Sequence, residues 1–178
     1  MGVLAVVNDE IHSARDVRKT ISHRVDAWNS GDLGDIGLVD KDRVSFYRKP
    51  LRRHTAASEF DVSKLADLPP VYILYSYVGA DSVLVDAAVN AGHAKGIILA
   101  AFPTGTGAPE QVQGLLHAAA KGVAVVDSHR GGRGRPVKRY PEFVDADNLN
   151  PQQSRILLML ALTRTSDVKE VQRMFEEY

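Results

Sequence analysis

Three predominantly apolar runs constrain this chain more than any other feature: "VYILYSYV" (71–78), "GIILAAF" (96–102) and "VAVVDS" (123–128). A strand that faces water on one side alternates polar and apolar residues. A strand covered on both faces reads as a continuous apolar run. Between these runs lie stretches of helical period. The first opens at Asp81, carries Val83, Leu84, Ala87, Ala88 and Ala91, and stops at Gly92. The second opens at Pro109, carries Val112, Leu115, Leu116 and Ala119, and stops at Gly122. Pro at the first helical position and Gly past the last are the expected punctuation. Buried strand alternating with amphipathic helix predicts a small, doubly wound parallel sheet with right-handed crossovers.

Two more helices are predicted at the end of the chain. Asn150-Pro151 opens "QQSRILLMLALT", and Ser166 opens "DVKEVQRMFEEY", where Val168, Val171, Phe175 and Tyr178 recur at helical spacing. The amino-terminal third differs. "GVLAVVN" (2–8) reads as a strand stopped by Asn-Asp, and 38–49 as a hairpin turned at Asp-Lys-Asp. Residues 50–70 hold three prolines and little periodicity, which reads as a connecting segment. The expected division is an incomplete α/β piece over 1–55, a linker over 56–70 and a small α/β domain over 71–178. The fold class is therefore α/β.

Several functions are disfavoured at this stage. The 178 residues contain no cysteine, so disulfide and thiolate chemistry are absent. No apolar run approaches the ~20 residues of a membrane helix, and the amino terminus lacks the basic flank of a signal peptide. Lys plus Arg and Asp plus Glu are 22 each, so the net charge offers no general attraction to nucleic acid. The expectation is no membrane and no nucleic-acid partner, and the cytoplasm for the chain as it stands.

Open parallel sheets bind ligands at the carboxyl ends of their strands. The loops there are "VGAD" (78–81), "PTGTGAPE" (103–110) and "SHRGGRGR" (128–135). Gly105 and Gly107 could bring backbone N–H groups to an anion at a helix start, or could simply form a turn, with Thr104 facing a ligand. "HRGGRGRPVKR" (129–139) has five basic residues but no interleaved aromatics, and reads as a solvated loop. The six histidines show no metal-ligand spacing, so no metal site is expected. No Gly-x-Ser-x-Gly elbow is present. Lys19, in "HSARDVRKT" (12–20), is either a solvated ammonium or a base whose proton affinity is lowered by Arg15 and Arg18 and raised by Asp16. Spacing leaves both open.

Four segments together bear a family resemblance: "GVLAVVNDEIHSARDVRKT", "RRHTAASEFDVSKLADLPPVYILYSY", "GAD…LVDAAVNAG" and "ADNLNPQQSRILLMLALTRTSDVKEVQRMFEEY". In order and over the whole chain they resemble bacterial type II L-asparaginases, the asparaginase/glutaminase family. The resemblance implies two α/β domains and a hydrolase that converts L-asparagine, less often L-glutamine, to the acid and ammonia without a cofactor. It implies a threonine nucleophile and a Thr–Asp–Lys set whose lysine falls on Lys19. It also implies a homo-oligomer in which a neighbour's carboxyl-terminal domain completes each site, and relatives that are often periplasmic.

Departures from that pattern set the expectations to be tested. The family's "GGTIA"-type and "TDT"-type segments, which carry its threonines and substrate-binding aspartate, do not occur in the 178 residues. Thr20, Thr55, Thr104, Thr106, Thr163 and Thr165 stand in other contexts. Thr104 falls where the family often has a substrate-contacting Asn contributed to the neighbouring subunit, and a hydroxyl cannot make both amide hydrogen bonds. Arg135 falls near a position where many members carry Glu. The expected function is an asparaginase-like amidohydrolase whose nucleophile lies on a missing amino-terminal segment. The alternative is a non-catalytic fragment that folds and self-associates. A binding module built on the Gly/Arg loop is the third reading.

Overall fold

A computed structural model describes all of residues 1–178, which divide into two compact units, Met1–Ser58 and Glu59–Tyr178. The first unit is built from antiparallel strands. β1 (Leu4–Val7) turns through Asn8 and Asp9 into β2 (Glu10–Ser13), with Val7 opposite Glu10. Both turn residues have positive φ, 52° and 63°. Two left-handed residues match the twist of a two-residue hairpin, and Asn and Asp tolerate that conformation better than other side chains. Asn8-Asp9 therefore does more than stop a strand: it folds the chain straight back into a second one.

β3 (Arg18–Lys19) and β4 (Trp28–Asn29) form a separate two-stranded ribbon, extended by the Thr20 amide donating to the Ala27 carbonyl at 2.7 Å. β5 (Gly37–Asp40) and β6 (Arg43–Phe46) are the expected hairpin, with Lys41 at φ 41° in the turn. The main sheet runs β1-β2-β5-β6, and Ile11, His12, Ser13, Ala27, Ser30 and Ile36 are buried in this unit. Its only helical turns are two short 3-10 segments, Gly31–Leu33 and Thr55–Ala57.

The second unit is the doubly wound sheet. β7 (Val71–Tyr75), β8 (Gly96–Ala101), β9 (Ala124–His129) and β10 (Phe143–Asp145) are all parallel, in the order β10-β9-β8-β7. Alternate residues of each strand feed two cores. Ile97, Leu99 and Val125 pack under α1 (Val83–Asn90) and α2 (Pro109–Ala120). Ile98, Val126 and Val144 pack under α3 (Pro151–Ala161) and α4 (Val168–Glu177). This is why β8 and β9 carry no outward polar stripe: all of their residues are buried.

The helix starts follow local chemistry. Asn150 accepts from the Gln153 amide at 2.8 Å, and the Asn150 amide donates to Gln153 Oε1 at 3.1 Å, a reciprocal capping box. α4 is capped by Asp167, one residue beyond the expected Ser166. The Asp167 carboxylate takes the Lys169 and Glu170 amides at 3.0 Å each. Gly122 ends α2 at φ +87° as expected, but after α1 the left-handed residue is His93, not Gly92. Glycine serves at 92 for a different reason: a Cβ there would sit 2.8 Å from the Tyr72 hydroxyl. At the start of this unit Glu59 and Phe60 dock on the end of α4. The Glu59 amide donates to the Tyr178 hydroxyl at 2.7 Å, the Phe60 and Tyr178 rings lie 4.7 Å apart, and Arg173 Nη2 meets Glu59 Oε2 at 2.9 Å.

Candidate functional site

Lys19 occupies one side of the β3–β4 ribbon, opposite Trp28, and is exposed. The ribbon holds it through backbone pairing rather than through a buried socket. Of the neighbours expected to tune it, Arg15 is engaged with Asp16 at 2.9 Å, both side chains being largely buried. Burial is the main influence on Arg18 and lowers its proton affinity, opposed by Asp16 and assisted by Arg15. The acid of the segment after β2 is thus engaged by a neighbouring arginine, and the Lys19 side chain is exposed to solvent.

Beneath the ribbon lies a constellation that no sequence motif marks. His12 Nδ1 is 2.9 Å from the Ser30 hydroxyl, and His12 Nε2 is 3.2 Å from Glu10 Oε2. The order Ser–His–Glu resembles a hydrolytic triad, but His12 and Ser30 are 1% and 5% exposed. A nucleophile must reach its substrate, and this hydroxyl cannot. Its role is to tie β2 to the end of β4, and so to hold the ribbon that carries Lys19.

None of the six threonines is paired with a buried base. Thr20 donates to the Ala27 carbonyl at 3.2 Å, and Thr163 donates to the Leu160 carbonyl at 2.6 Å. Thr165 accepts from the Asp167 amide at 3.0 Å. Thr55 sits 3.0 Å from His54 Nδ1 on the surface. Thr104 and Thr106 face each other at 3.3 Å.

At the carboxyl ends of the parallel strands the loops form one connected surface. Residues 102–106 close a tight turn in which Phe102 donates to Thr106 and Gly105 donates to Phe102 at 2.8 Å. Gly105 has φ +80°, where glycine is required. Thr104 is exposed at the tip. Of the two glycine amides expected to form an anion cradle, Gly105 N–H bonds within the turn, and beside Gly107 the Ala108 N–H, at the start of α2, donates to the buried Ser76 hydroxyl at 2.8 Å. The turn reading of "PTGTGAPE" therefore stands, with Thr104 presented outward.

The Gly/Arg loop packs against this turn. Val137 donates to the Thr104 carbonyl at 3.3 Å, Arg130 lies 4.9 Å over the Phe102 ring, and His129 Nε2 is 3.0 Å from the Gly134 carbonyl. Arg135 is exposed. Under both loops is Asp127, 3% exposed, with neither carboxyl oxygen hydrogen-bonded. Burial, and secondarily the charge of Asp145 on the next strand, push the Asp127 carboxyl up to about 7, against the opposing pull of Arg139. Sequence reasoning passed over this residue, although one acid inside the apolar run "VAVVDS" was a visible signal. No group of three or more His, Asp or Glu side chains is placed to hold a metal ion, and no helix is long and apolar enough to cross a membrane.

Comparisons with known proteins agree with this architecture. Residues 70–175 match the glutaminase/asparaginase C-terminal domain, and residues 1–52 match the asparaginase N-terminal domain. The chain is 42% identical to L-asparaginase 2 of Bacillus subtilis (strain 168), over 99% of its own length and 48% of that protein's. It is 41% identical to a glutaminase-asparaginase of Pseudomonas fluorescens biotype A, over 99% and 50%. The crystal structure of a probable cytoplasmic L-asparaginase from Campylobacter jejuni superposes with a TM-score of 0.94 at 42% identity, covering 99% of this chain and 59% of that one. The chain spans about half the length of the curated relatives it matches.

Proposed function

The chain belongs to the asparaginase/glutaminase family, of the bacterial type II kind, and from that premise we propose that it serves in the hydrolysis of L-asparagine to L-aspartate and ammonia. The observation that carries the reading is co-linear identity near 40% over 99% of the chain, through both the Lys19 ribbon and the loops of the parallel sheet. L-glutamine is the second substrate of this class, since relatives on both sides of that preference match equally well.

In this reading the chain supplies part of a site. Lys19, acting as the neutral amine, orients and helps deprotonate an assisting threonine, while the threonine nucleophile attacks the side-chain amide carbon. The family segments that carry its threonines and substrate-binding aspartate do not occur among these 178 residues. Thr104 reaches a neighbouring subunit's substrate from the tip of the 102–106 turn. No cofactor enters the reaction. The functional division is 1–55 for the lysine-bearing portion, 56–70 for the linker and 71–178 for the loop-bearing domain.

The exposure of Lys19 is compatible with this role because a lysine that works on another segment's hydroxyl must be reachable from outside its own ribbon. The decisive measurement is ammonia release from L-asparagine by the purified protein, alone and with the amino-terminal segment of a relative supplied in trans. Lys19→Ala is expected to reduce the rate by two or more orders of magnitude, in line with loss of a general base. An unchanged rate in that variant would remove Lys19 from the chemistry.

A second reading is a folded, non-catalytic chain that self-associates. It is favoured by Val3, Val6, Val25 and Leu51, which are 76%, 59%, 81% and 92% exposed, more apolar surface than a small antiparallel sheet usually leaves uncovered. Ammonia release absent under all these conditions, together with a concentration-dependent mass in light scattering, would select it.

A further inference from the structure

Asp127 is out of keeping with its surroundings. It lies on the same face of β9 as Val125, in register with Leu99 on β8 and Asp145 on β10. It is buried, and both carboxyl oxygens lack a donor. The space beside it, lined by Asp127, Pro136, Arg139, Tyr140, Phe143 and Asp145, has no room for a water molecule. An ionised carboxylate with neither donor nor water is among the costliest things a fold can bury.

What covers the acid is the junction of the two loops. A Cβ placed on Gly105 would lie 3.2 Å from Asp127 Oδ2 and 2.7 Å from Pro136 Cβ, so the Gly105 backbone and Pro136 close directly over the carboxyl. The same junction holds the Val137–Thr104 hydrogen bond. We propose that Asp127 is a positioning residue for Thr104: as the neutral acid it lets residues 103–107 and 134–137 close over it, and as the carboxylate it forces them apart.

The groups around it set the direction. Asp145 faces it from β10 and disfavours its charge, with Asp145 itself accepting from the Asp147 amide at 2.7 Å. Arg139 from the covering segment favours the charge, and Lys138 and Tyr140 line the same space. His129, two residues on along β9, is bonded to Gly134. The 103–107 turn contributes no ionisable side chain, and the Glu110 and His117 side chains of α2 are exposed. Once Asp127 ionises, the charge is met by Arg139 swinging inward or by water entering, and either displaces Pro136 from Gly105. For its bearing on substrate the inference rests on the role of Thr104 above; the movement itself does not.

The test uses Arg130, Arg133 and Lys138 as tryptic sites, since Arg135 precedes Pro136 and Arg139 is itself varied. Initial cleavage in this segment is followed by mass spectrometry at pH 6 and pH 8, as the ratio of wild type to Asp127→Asn, so that the protease's own pH dependence cancels. Asn mimics the neutral acid. The ratio is expected near one at pH 6 and to rise roughly tenfold by pH 8, as the ionised fraction grows. Asp145→Asn is expected to move the midpoint to lower pH, and Arg139→Gln to higher pH; each is also read as its ratio to wild type, so these two arms decide the matter even if Asp127→Asn folds poorly. A ratio independent of pH, or midpoints that ignore both neighbours, would overturn the proposal. With the amino-terminal segment of a relative supplied in trans, a KM for L-asparagine that rises above pH 7 in the wild type but not in Asp127→Asn would tie the movement to Thr104. A loop that opens while KM stays flat would leave the movement standing and remove Thr104 from substrate binding.

Discussion

Individual side chains here are held to account by their closest neighbours. Gly37 illustrates this in the first unit. A Cβ at this position would press into the Ser45 carbonyl across the β5–β6 pair and lie 3.2 Å from Phe46 Cα, both backbone atoms of a paired strand. Unlike the tip of a flexible side chain, a paired strand cannot step aside. Gly37→Ala is therefore expected to destabilise the protein by about 1–3 kcal/mol, as overpacking does, measured by urea denaturation. An unchanged midpoint would mean that the hairpin can slip to relieve the contact. At the same scale, His12 and Ser30 show how misleading a chemically suggestive trio can be. The His12–Ser30 distance suits a hydrogen bond, but His12 Nε2 has no hydrogen-bond partner, and the burial forbids a substrate.

Among the elements, α3 is the one whose start is most completely specified by its own residues. Asn150 and Gln153 satisfy each other's amides, and Pro151 presets the first turn. Asn150→Ala should cost about 1 kcal/mol, read as a lower thermal midpoint with an otherwise native spectrum. Because Leu157, Leu158 and Ala161 of the same helix fill the core against β7, β8 and β9, loss of the cap frays one turn without dislodging the helix. The strands are less self-sufficient. β3, β4 and β10 are two or three residues long. No alternation can be read in so few positions, and all three exist because a neighbouring strand supplies the register. β2 was obscured in another way. Its His12 and Ser13 are polar residue types, yet both are buried, and Ser30 meets the imidazole at Nδ1.

For the whole molecule, one buried acid makes stability depend on pH. Asp127 holds its proton up to about 7 in the folded state, against ~3.9 for an aspartic acid in an unfolded chain. Between those values the folded state binds more protons than the unfolded one, so this contribution is complete below about pH 4 and is lost as pH rises through about 7. The wild type is expected to lose stability relative to Asp127→Asn between pH 5 and pH 8, in paired chemical denaturations; parallel curves would show that the carboxyl is solvated in the fold. The parallel sheet, its two helical layers and the hairpin of 38–49 were all legible in the sequence, because apolar periodicity and turn chemistry are local and a strand covered on both faces is predominantly apolar. The kinship was legible in four ordered segments, and with it the candidacy of Lys19 and Thr104. The tertiary structure alone decided that Lys19 rides an exposed ribbon, that Gly105 serves a turn in which its own amide is engaged, and that Asp127 lies under two loops with neither carboxyl oxygen hydrogen-bonded. Burial and hydrogen-bond satisfaction depend on which distant residues come together, and no local spacing encodes that.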